Sequence, residues 1–378
     1  MTERKPRVLL LFGGRSSEHS VSCVTAAGVM HAIDRERFDV VPVGITRQGE
    51  WTLLTEDPQD WALNTGSLPE ISDVDNPVQL STDPNKTSLM SLSKSVVSEL
   101  GEIDVVFPLL HGPFGEDGSI QGMLEMAGVS YVGSGIAASA MGMDKHFMKV
   151  VFESAGFKVG PYEVITNKQW LRDSDSALQR CERLEYPLFV KPARAGSSVG
   201  ITKVDVPSEL RDAIEVARRE DPKVIVEQGI IGREIECGVL EGRGSTPSRA
   251  SLPGEISVAD NGHTFYDFEA KYVDGAAAKL SCPAQLSDEA TMQIRELAVK
   301  AFDAIDAEGL SRVDFFYTPE GEWIINEINT MPGFTPSSMY PQMWAKTGID
   351  YRELIDELIA LASCLLYTSD AADERPRV

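Results

Sequence analysis

The chain has 378 residues, of which 42% are hydrophobic and 25% are charged, and these values are typical of a globular protein. This length exceeds what one ordinary hydrophobic core organises, so it predicts two or three lobes. The formal net charge of −23 argues against double-stranded nucleic acid or an anionic membrane as a main partner. A nucleotide site is compatible with that charge, because it needs only a few local lysines, arginines and backbone N–H groups.

The five cysteines are spread along the chain without a Cys-x-x-Cys pair, which indicates reduced thiols and neither a disulfide framework nor a zinc site. The apolar run after the basic N-terminus is too short for the hydrophobic region of a signal peptide, and it predicts a first β-strand. No apolar segment approaches the length that spans a membrane. We therefore expect a cytoplasmic protein.

The first part of the chain predicts a β-strand, an α-helix and a second β-strand. Val8–Phe12 and Val40–Ile45 are continuous apolar runs, and Ser20–Ile33 between them has helical spacing. Gly13-Gly14 ends the first strand, where ligands usually bind in an open α/β sheet. Glu18, in the loop that follows, could hold a substrate ammonium group. The alternative is a carboxylate that only favours the dipole of the next helix.

Segment Asn64–Lys94 is rich in Ser, Pro, Asp and Asn, and it predicts an irregular or poorly packed insertion. Asp104–Leu110 then predicts another buried strand, which leads into the glycine-rich sequence HGPFGEDGSIQG and a helix from about Ser119. His111 lies at the end of this strand and before the flexible loop. That position makes it a better site candidate than an isolated histidine.

Small residues at Tyr131–Ala140 predict a junction between lobes, and the sequence MGMDKHFMKVVFESAG predicts one helix after it. This helix carries Lys145 and Lys149 one turn apart, which on spacing alone indicates a solvated face. Lys168–Glu185 predicts a further surface helix.

The sequence PLFVKPARAGSSVGITK, residues 187–203, predicts a strand that delivers Lys191, a loop and a second strand. Its Gly196–Gly200 part matches the G-x-S-x-G elbow of hydrolases, with Ser198 as nucleophile. That motif requires a helix after the loop, and the β-branched sequence ITKV follows here. The alternative is a hairpin loop whose N–H and hydroxyl groups cover phosphates, with Lys191 supplying positive charge.

Strand Val224–Gln228 continues through Gly229 into another strand and predicts a hinge against which an adenine could lie. Glu227 would then accept a hydrogen bond from the exocyclic amine; the alternative is an ordinary carboxylate on an edge strand. The interrupted polar segment Leu252–Cys282 predicts a lid. Lys271 and Tyr272 are its best candidates for reaching a ligand.

The stretch Leu310–Tyr340 contains two apolar strands around a Pro-Glu-Gly turn and predicts a hairpin. Glu327 and Asn329 share one face because they are two residues apart, and Asp314 on the facing strand can join them. Such oxygen ligands on rigid strands suit Mg²⁺ that also holds a nucleotide's phosphates. The alternative is an acidic strand with solvated charges, but these positions lie among isoleucines and valines.

The end of the chain changes in character after Ala362. Tyr351–Ala362 predicts a terminal helix. The segment 363–378 continues no helical face, and we interpret it as a tail that is foreign to the fold or disordered.

Seven segments in this order resemble the ATP-grasp enzymes and, among them, the D-alanine–D-alanine ligases: GGRSSEHSVS, HGPFGEDGSIQG, MDKHFMK, VKPARAGSSVG, YDFEAKY, SRVDFF and NEINTMPGFTPSSM. They extend from about residue 7 to 362. The resemblance implies an α/β fold, α+β in its C-terminal part, with a Rossmann-like substrate lobe at 1–132. Two further lobes, at 133–228 and 229–362, would clamp ATP between them.

The resemblance also implies a two-step reaction. ATP would phosphorylate the carboxylate of one D-alanine, and the amino group of a second D-alanine would attack the acylphosphate and release phosphate. The implied cofactors are Mg²⁺ or Mn²⁺, with K⁺ as an activator. The implied setting is a homodimer in a bacterial cytoplasm that makes the D-alanyl-D-alanine of peptidoglycan precursors.

By motif position, the resemblance implies ligands for the nucleotide and its metal. The implied metal ligands are Asp314, Glu327 and Asn329. The implied phosphate ligands are Lys145, Lys191, Lys271 and Ser197. The implied contacts to adenine and ribose are Glu227, Ile230 and Glu234.

It also implies substrate ligands and catalytic groups. Glu18 would hold the ammonium of the first D-alanine, with His111 beside its carboxylate, and Ser338 and Met339 would bind the carboxylate of the second. The implied catalytic groups are Ser197 and Tyr272, which would hydrogen-bond with Glu18, and Arg312 and the N–H of Gly333, which would face the developing oxyanion.

Two positions depart from the family pattern. Ala195 stands where many relatives carry an acidic residue, and MPGFTPSSM lacks the histidine that commonly precedes its last serine. Tyr272 at the lid goes with D-alanine as second substrate, whereas phenylalanine there goes with an ester product. The alternatives are a ligase that joins D-alanine to D-lactate, a nucleotide-binding regulator without turnover, and a hydrolase built on Ser198.

Overall fold

The computed structural model describes residues 4–55, 61, 68–72, 74–93, 96–258 and 278–373. Its N-terminal third contains strands β1 (Arg7–Gly13), β2 (Asp39–Ile45), β3 (Trp51–Leu53), β4 (Val78–Leu80), β5 (Ser88–Ser93), β6 (Val96–Glu102), β7 (Val105–Pro108) and β8 (Ser130–Tyr131), with helices α1 (His19–Ala32) and α2 (Ser119–Met126). The main sheet has the order β3-β2-β1-β7-β8. Strands β2, β1, β7 and β8 are parallel, so the loops after β1 and β7 leave the same edge of the sheet.

The predicted βαβ start is confirmed, and the predicted irregular insertion at 64–94 is wrong from Val78 onwards, whereas its positions 64–67, 73 and 94 lie outside the described residues. Strands β4, β5 and β6 form an antiparallel sheet. Val78, Leu80 and Leu89 are buried and pack in one core with Leu9 and Leu11 of β1. A strand that buries one face needs an apolar residue only at every second position. The polar stretch Ser81–Thr87 between β4 and β5, with Asp83, Pro84 and Asn85, gave this segment a composition like that of a loop.

The middle of the chain contains helices α3 (Ile136–Met143), α4 (Lys145–Ser154), α5 (Asn167–Arg172), α6 (Ser174–Cys181) and α7 (Leu210–Glu220), with strands β9 (Tyr162–Ile165), β10 (Leu188–Pro192), β11 (Thr202–Val204) and β12 (Val224–Gln228). The four strands form an antiparallel sheet in the order β11-β10-β12-β9. A strand, and not a helix, follows the loop after β10, so the structure contradicts the hydrolase elbow on Ser198.

Two segments that predict single helices each form two helices. Asp144 separates α3 from α4, and its carboxylate accepts hydrogen bonds from the backbone N–H groups of His146 and Phe147. Asp173 separates α5 from α6 and accepts from the N–H of Ser176. An aspartate that caps the next helix adopts a non-helical backbone. The apolar periodicity continues across both breaks, which is why periodicity alone predicted one helix in each place.

The last part contains strands β13 (Arg233–Leu240), β14 (Arg249–Ala250), β15 (Gly254–Val258), β16 (Ala278–Ser281), β17 (Leu310–Tyr317) and β18 (Trp323–Asn329), with helices α8 (Asp288–Ala304), α9 (Met339–Thr347) and α10 (Tyr351–Asp373). The strands form an antiparallel sheet in the order β16-β15-β13-β17-β18, with β14 beside β13. The predicted hairpin is confirmed as β17 and β18, and Asp314 lies opposite Glu327. Strands β12 and β13 are consecutive but belong to different sheets, as predicted for the Gly229 connection.

The terminal helix differs from its prediction at one end. Helix α10 buries Leu354, Leu358 and Ile359 against the core of the first sheet. It continues to Asp373, so the prediction that it ends at Ala362 is wrong. No Gly or Pro occurs between Gly348 and Pro376 to stop it. That the 363–378 segment is foreign to the fold stays a prediction. Among the described residues, no helix is both long and apolar enough to cross a membrane.

Candidate active site

One cleft of about 730 Å³ gathers residues from the three main sheets. Every predicted site residue within the described ranges lines it: Glu18, His111, Lys145, Lys191, Ser197, Glu227, Ile230, Glu234, Arg312, Asp314, Glu327, Asn329, Gly333, Ser338 and Met339. The two predicted lid residues, Lys271 and Tyr272, lie outside the described residues. Positions that are up to about 300 residues apart in the chain therefore meet in one place, although the ligand that each one binds stays a prediction.

One end of the cleft is built around the buried carboxylate of Glu18. Ser197 donates its hydroxyl to Glu18 Oε1. The other oxygen, Oε2, is buried and has no hydrogen-bond partner within the described part of the chain. A buried carboxylate oxygen without a partner is costly. An ammonium group entering the cleft would supply the missing hydrogen-bond donor. The unpartnered oxygen therefore favours the ammonium site over a carboxylate that only interacts with the helix dipole.

Two glycines let the backbone approach Glu18 closely. A Cβ atom at Gly112 or at Gly196 would overlap with Glu18 Oε2. Ser197 and Ser198 next to Gly196 have φ angles of 45° and 60°. These left-handed conformations are uncommon for residues other than glycine and are found at functional loops. The loop is therefore shaped to place the Ser197 hydroxyl on Glu18.

His111 is buried beside this carboxylate and has partners on both ring nitrogens. Its Nδ1 lies 3.2 Å from the carbonyl oxygen of Met331, and its Nε2 lies 3.2 Å from Thr25 Oγ1. Burial lowers the pKa of His111 below its ordinary value. These contacts fit the neutral ring that donates from Nδ1 to the carbonyl and accepts the threonine hydroxyl at Nε2.

Glu116 is a cleft residue to which sequence reasoning assigned no role. Its carboxyl oxygens accept hydrogen bonds from the N–H of Gly112, at 2.6 Å, and from the N–H of Met331, at 3.3 Å. Burial, with the nearby charge of Glu18, raises the pKa of Glu116 to about 8. It thus links the loop after β7 to the loop after β18. The signal available was its place in the glycine-rich sequence HGPFGEDG, where His111 drew attention instead.

At the other end of the cleft, β17 and β18 present Arg312, Asp314, Glu327 and Asn329. Arg312 makes a paired contact with Asp314, with Nε–Oδ1 at 2.8 Å and Nη2–Oδ2 at 2.7 Å. Its Nε also lies 3.2 Å from Glu236 Oε1. Burial opposes the charge of Arg312, but Asp314 and Glu236 raise its pKa well above the ordinary value. A charged guanidinium is thereby held rigidly in the cleft.

The hairpin presents three side chains with oxygen atoms of the type that divalent metal ions take as ligands. Asp314 lies opposite Glu327 on facing strands, and Asn329 Nδ2 lies 3.1 Å from Asp314 Oδ2. Within the described ranges no group of three His, Cys, Asp or Glu side chains could hold a metal. The hairpin instead combines two carboxylates with one amide, and these side chains carry the hard oxygen atoms that Mg²⁺ takes beside phosphates.

The lysines of the cleft bear on two interpretations made from the sequence: a solvated face for Lys145 and Lys149, and an edge strand for Glu227. Lys145 Nζ donates to the carbonyl oxygen of Ala195, at 2.9 Å, and lies 3.9 Å from Glu327 Oε2. Lys149 and Lys191 both pair with the buried Glu227. The solvated lysine face is therefore wrong, and Glu227 does not lie on an edge strand, because β12 runs between β10 and β9. In both cases the lysine ammonium groups contact a buried carboxylate or a carbonyl oxygen and do not form an exposed surface.

The loop after β18 ends at the N-terminus of α9. The Ser338 side chain contacts Thr335, with Oγ–Oγ1 at 2.7 Å, and Ser338 precedes the first helical residue, Met339. The Met339 side chain is buried beside Ile256 and Met343. Backbone N–H groups at a helix N-terminus favour anions. Ser338 and the backbone of Met339 thus offer a place for a carboxylate.

The sequence matches two family models, described as the D-ala D-ala ligase N-terminus over residues 7–134 and the D-ala D-ala ligase C-terminus over residues 151–360. The chain belongs to the D-alanine–D-alanine ligase family. Among its relatives, the D-alanine–D-alanine ligase of Arthrobacter sp. (strain FB24) is 62% identical over 359 residues, covering 95% of this chain and 94% of that protein. The one from Streptomyces coelicolor is 53% identical over 366 residues, covering 94% and 93%.

Solved structures of the D-alanine–D-alanine ligase family have the same fold. The D-alanine–D-alanine ligase from Coxiella burnetii superposes with a TM-score of 0.81 at 31% identity, covering 98% of this chain and 97% of that one. The VanG D-Ala:D-Ser ligase from Enterococcus faecalis superposes with a TM-score of 0.79 at 35% identity, covering 95% and 100%. The fold is the mixed α/β fold of ATP-grasp ligases, which use ATP and a divalent metal ion. It does not distinguish the second substrate.

Proposed function

We propose that this chain catalyses the ATP-dependent joining of two D-alanine molecules to D-alanyl-D-alanine through a D-alanyl phosphate. The observation that carries the proposal is that one cleft has a buried carboxylate at one end and a group of charged and amide side chains at the other. At one end, Glu18 offers a buried oxygen that has no hydrogen-bond partner among the described residues. At the other end, the hairpin offers Arg312 with two carboxylates and an amide. An ammonium site facing a phosphate site is what carboxylate activation followed by amide formation requires.

In the first step, the chain positions ATP and the first D-alanine. Lys145 and Lys191 neutralise phosphate charge, and phosphoryl transfer depends mostly on such positioning and neutralisation. Glu227 accepts from the adenine amine, Ile230 packs on the base, and Glu234 contacts the ribose. Asp314, Glu327 and Asn329 would hold Mg²⁺ or Mn²⁺, which would supply further positive charge to neutralise the phosphates.

The first D-alanine binds with its ammonium on Glu18, which Ser197 orients. His111 lies beside its carboxylate. An oxygen of that carboxylate attacks the γ-phosphorus, and ADP leaves. The chain therefore needs no covalent nucleophile of its own, because the substrate carboxylate forms the new bond to phosphorus.

In the second step, the amino group of the second D-alanine attacks the acyl carbon. Ser338 and the backbone of Met339 hold its carboxylate, which orients the amine. Arg312 and the N–H of Gly333 stabilise the oxyanion of the tetrahedral intermediate, since preorganised donors act most strongly on charge that develops in the transition state. The carbon–oxygen bond to phosphate then breaks. Lys271 and Tyr272 of the lid would cover the phosphates and the Glu18 end of the cleft during both steps.

The proposal includes a molecular setting that family membership supports. We infer three lobes, at 1–132, 133–228 and 229–362, with ATP clamped between the second and third. The enzyme works as a homodimer in a bacterial cytoplasm, supplies peptidoglycan precursor synthesis, and is activated by K⁺. No nucleic acid or membrane is needed as a partner.

Phosphate release tests the proposal. With ATP and Mg²⁺, we expect release that depends on D-alanine and is absent with L-alanine, because the similar relatives are D-alanine–D-alanine ligases. A folded protein that releases no phosphate with D-alanine would contradict ligase activity.

Product analysis tests the second substrate. D-alanine is supplied alone and then with D-lactate or D-serine, the last chosen because of the similarity to VanG. We expect D-alanyl-D-alanine as the main product at neutral pH. A preference for the ester or for the D-serine product would overturn the substrate assignment while leaving the ligase mechanism in place.

A further inference from the structure

Lys149 is a buried cation that the proposed reaction does not use. It lies on α4, one turn after Lys145, and its side chain is only 4% exposed. Its Nζ lies 2.7 Å from Glu227 Oε1 and 5.7 Å from the centre of the Tyr162 ring. Lysine side chains are almost never fully buried unless their charge is paired. The question is what the charge of Lys149 does beside Glu227.

Glu227 receives one lysine on each carboxylate oxygen. Lys149 Nζ pairs with Oε1, and Lys191 Nζ lies 2.5 Å from Oε2. Burial alone would raise the pKa of Glu227, but the two lysines hold it far below the ordinary value. The group of two cations and one anion carries a net charge of +1. One lysine is therefore in excess of what the carboxylate requires for charge balance.

The two lysines differ in their surroundings. Lys191 ends β10, directly before the loop that carries Ser197, and it feels the charges of Glu327 and Glu234 across the cleft. Lys149 has its ammonium 5.7 Å from the centre of the Tyr162 ring, and its side chain is only 4% exposed, compared with 16% for Lys191. Lys191 can therefore turn towards the phosphates of a nucleotide, whereas Lys149 stays paired with Glu227.

We propose that Lys149 is a positioning residue that keeps Glu227 ionised and in place when Lys191 moves from Glu227 to the nucleotide. When Lys191 moves, Glu227 Oε2 becomes free to accept a hydrogen bond from the exocyclic amine of adenine. Oε1 remains paired with Lys149. Without Lys149, Lys191 is the one counter-cation that the ion pairs of the described residues leave to this buried carboxylate. Its departure would leave an unpaired buried charge, which is strongly unfavourable. This inference rests on the nucleotide site of the proposed function.

Lys149→Met and Lys149→Arg test this role, with Lys223→Met as a matched control. Lys223 is a partly buried lysine that pairs with Asp144 at the start of the same helix and has no contact with Glu227 among the described hydrogen bonds and ion pairs. We expect Lys149→Met to raise KM for ATP about tenfold or more, as for the loss of one charge from a buried pair. KM for D-alanine should stay within about twofold. Lys149→Arg should restore much of the ATP affinity, and Lys223→Met should leave both constants unchanged.

Calorimetry of ATP binding in the absence of D-alanine separates this inference from the ligase proposal. If the wild type binds ATP but joins no D-alanine, the ligase proposal fails and the binding comparison still tests Lys149. Unchanged ATP affinity in Lys149→Met, or an equal rise of KM for both substrates, would overturn the positioning role. If Lys149→Met does not fold, Lys149→Gln is measured instead; failure of both to fold would make Lys149 a structural residue and also overturn the inference.

Discussion

At the scale of single residues, the cleft contains three buried carboxylates. In the part of the chain that the structure describes, Glu18 has one oxygen without a hydrogen-bond partner. Glu116 accepts hydrogen bonds from two backbone N–H groups, and Glu227 pairs with two lysines. The three carboxylates therefore differ in their partners: a hydroxyl for Glu18, backbone N–H groups for Glu116 and ammonium groups for Glu227. These differences allow three chemically identical side chains to have three different tasks.

The raised pKa of Glu116 gives a pH-dependent contribution to stability. Its pKa rises from 4.5 to about 8 on folding, so the folded protein binds more protons than the unfolded chain between these values. The contribution is fully present below about pH 4.5 and is lost as the pH rises through 8. We predict that the free energy of unfolding of the wild type, relative to Glu116→Gln, falls between pH 5 and pH 9. Urea denaturation at several pH values measures it, and a difference independent of pH would contradict the prediction.

Glu327 tests the metal ligand assignment. We predict that Glu327→Gln lowers kcat by about 100-fold or more, as for other losses of transition-state charge stabilisation, because one anionic donor of the divalent ion is removed. Circular dichroism should be that of the wild type. Near-normal turnover would reject Glu327 as a metal ligand.

Gly196 tests the close approach of backbone to Glu18. An added Cβ would overlap with Oε2, so Gly196→Ala should displace the ammonium site and lower kcat/KM for D-alanine by about 100-fold. Gly122→Ala is the control. Its added Cβ would be 3.6 Å from Ile136 Cδ1, an ordinary contact, in a helix away from the cleft. Equal kinetics for both variants would show that the Glu18 end tolerates the added methyl group.

At the scale of secondary structure elements, the sequence predicted what strong patterns specify. The hairpin β17/β18 and the βαβ start were predictable because apolar runs and turn residues agree there. The small sheet β4-β5-β6 was missed because the polar stretch Ser81–Thr87 between its first two strands gave the segment a loop-like composition. Breaks at Asp144 and Asp173 were missed because capping interrupts a helix without interrupting its apolar period. The partnership of Lys149 and Lys191 with Glu227 could not be predicted, since it depends on packing α4 against a sheet that is formed later in the chain.

Asp144 tests the break between α3 and α4. It caps α4 and pairs with Lys223 at 2.7 Å, so Asp144→Ala removes both contacts. We predict a loss of about 2–4 kcal/mol in the free energy of unfolding, more than the cap alone provides. Thr166→Ala, at the exposed cap of α5, should cost only about 1 kcal/mol. Equal losses in urea denaturation would show that the Lys223 contact adds nothing.

At the scale of the whole molecule, the cleft exists only when all three main sheets are assembled. Glu18 follows a strand of the first sheet, Ser197 follows a strand of the second, and Arg312 and Glu327 lie on the third. Family membership was predictable from seven ordered motifs, whereas their meeting point requires the fold. The proposed chemistry uses this arrangement directly, because the amino acid and the phosphate donor are held by different sheets.

Isotope transfer tests the central claim most directly. In the proposed reaction, a carboxylate oxygen of the first D-alanine bonds to the γ-phosphorus and leaves with the phosphate when the amine attacks. With D-alanine labelled by ¹⁸O in its carboxylate, we predict one ¹⁸O atom in each phosphate released and one fewer in the peptide bond carbonyl group than in the starting carboxylate. Phosphate that carries oxygen from water and no ¹⁸O from D-alanine would contradict the acylphosphate route and, with it, the proposed function.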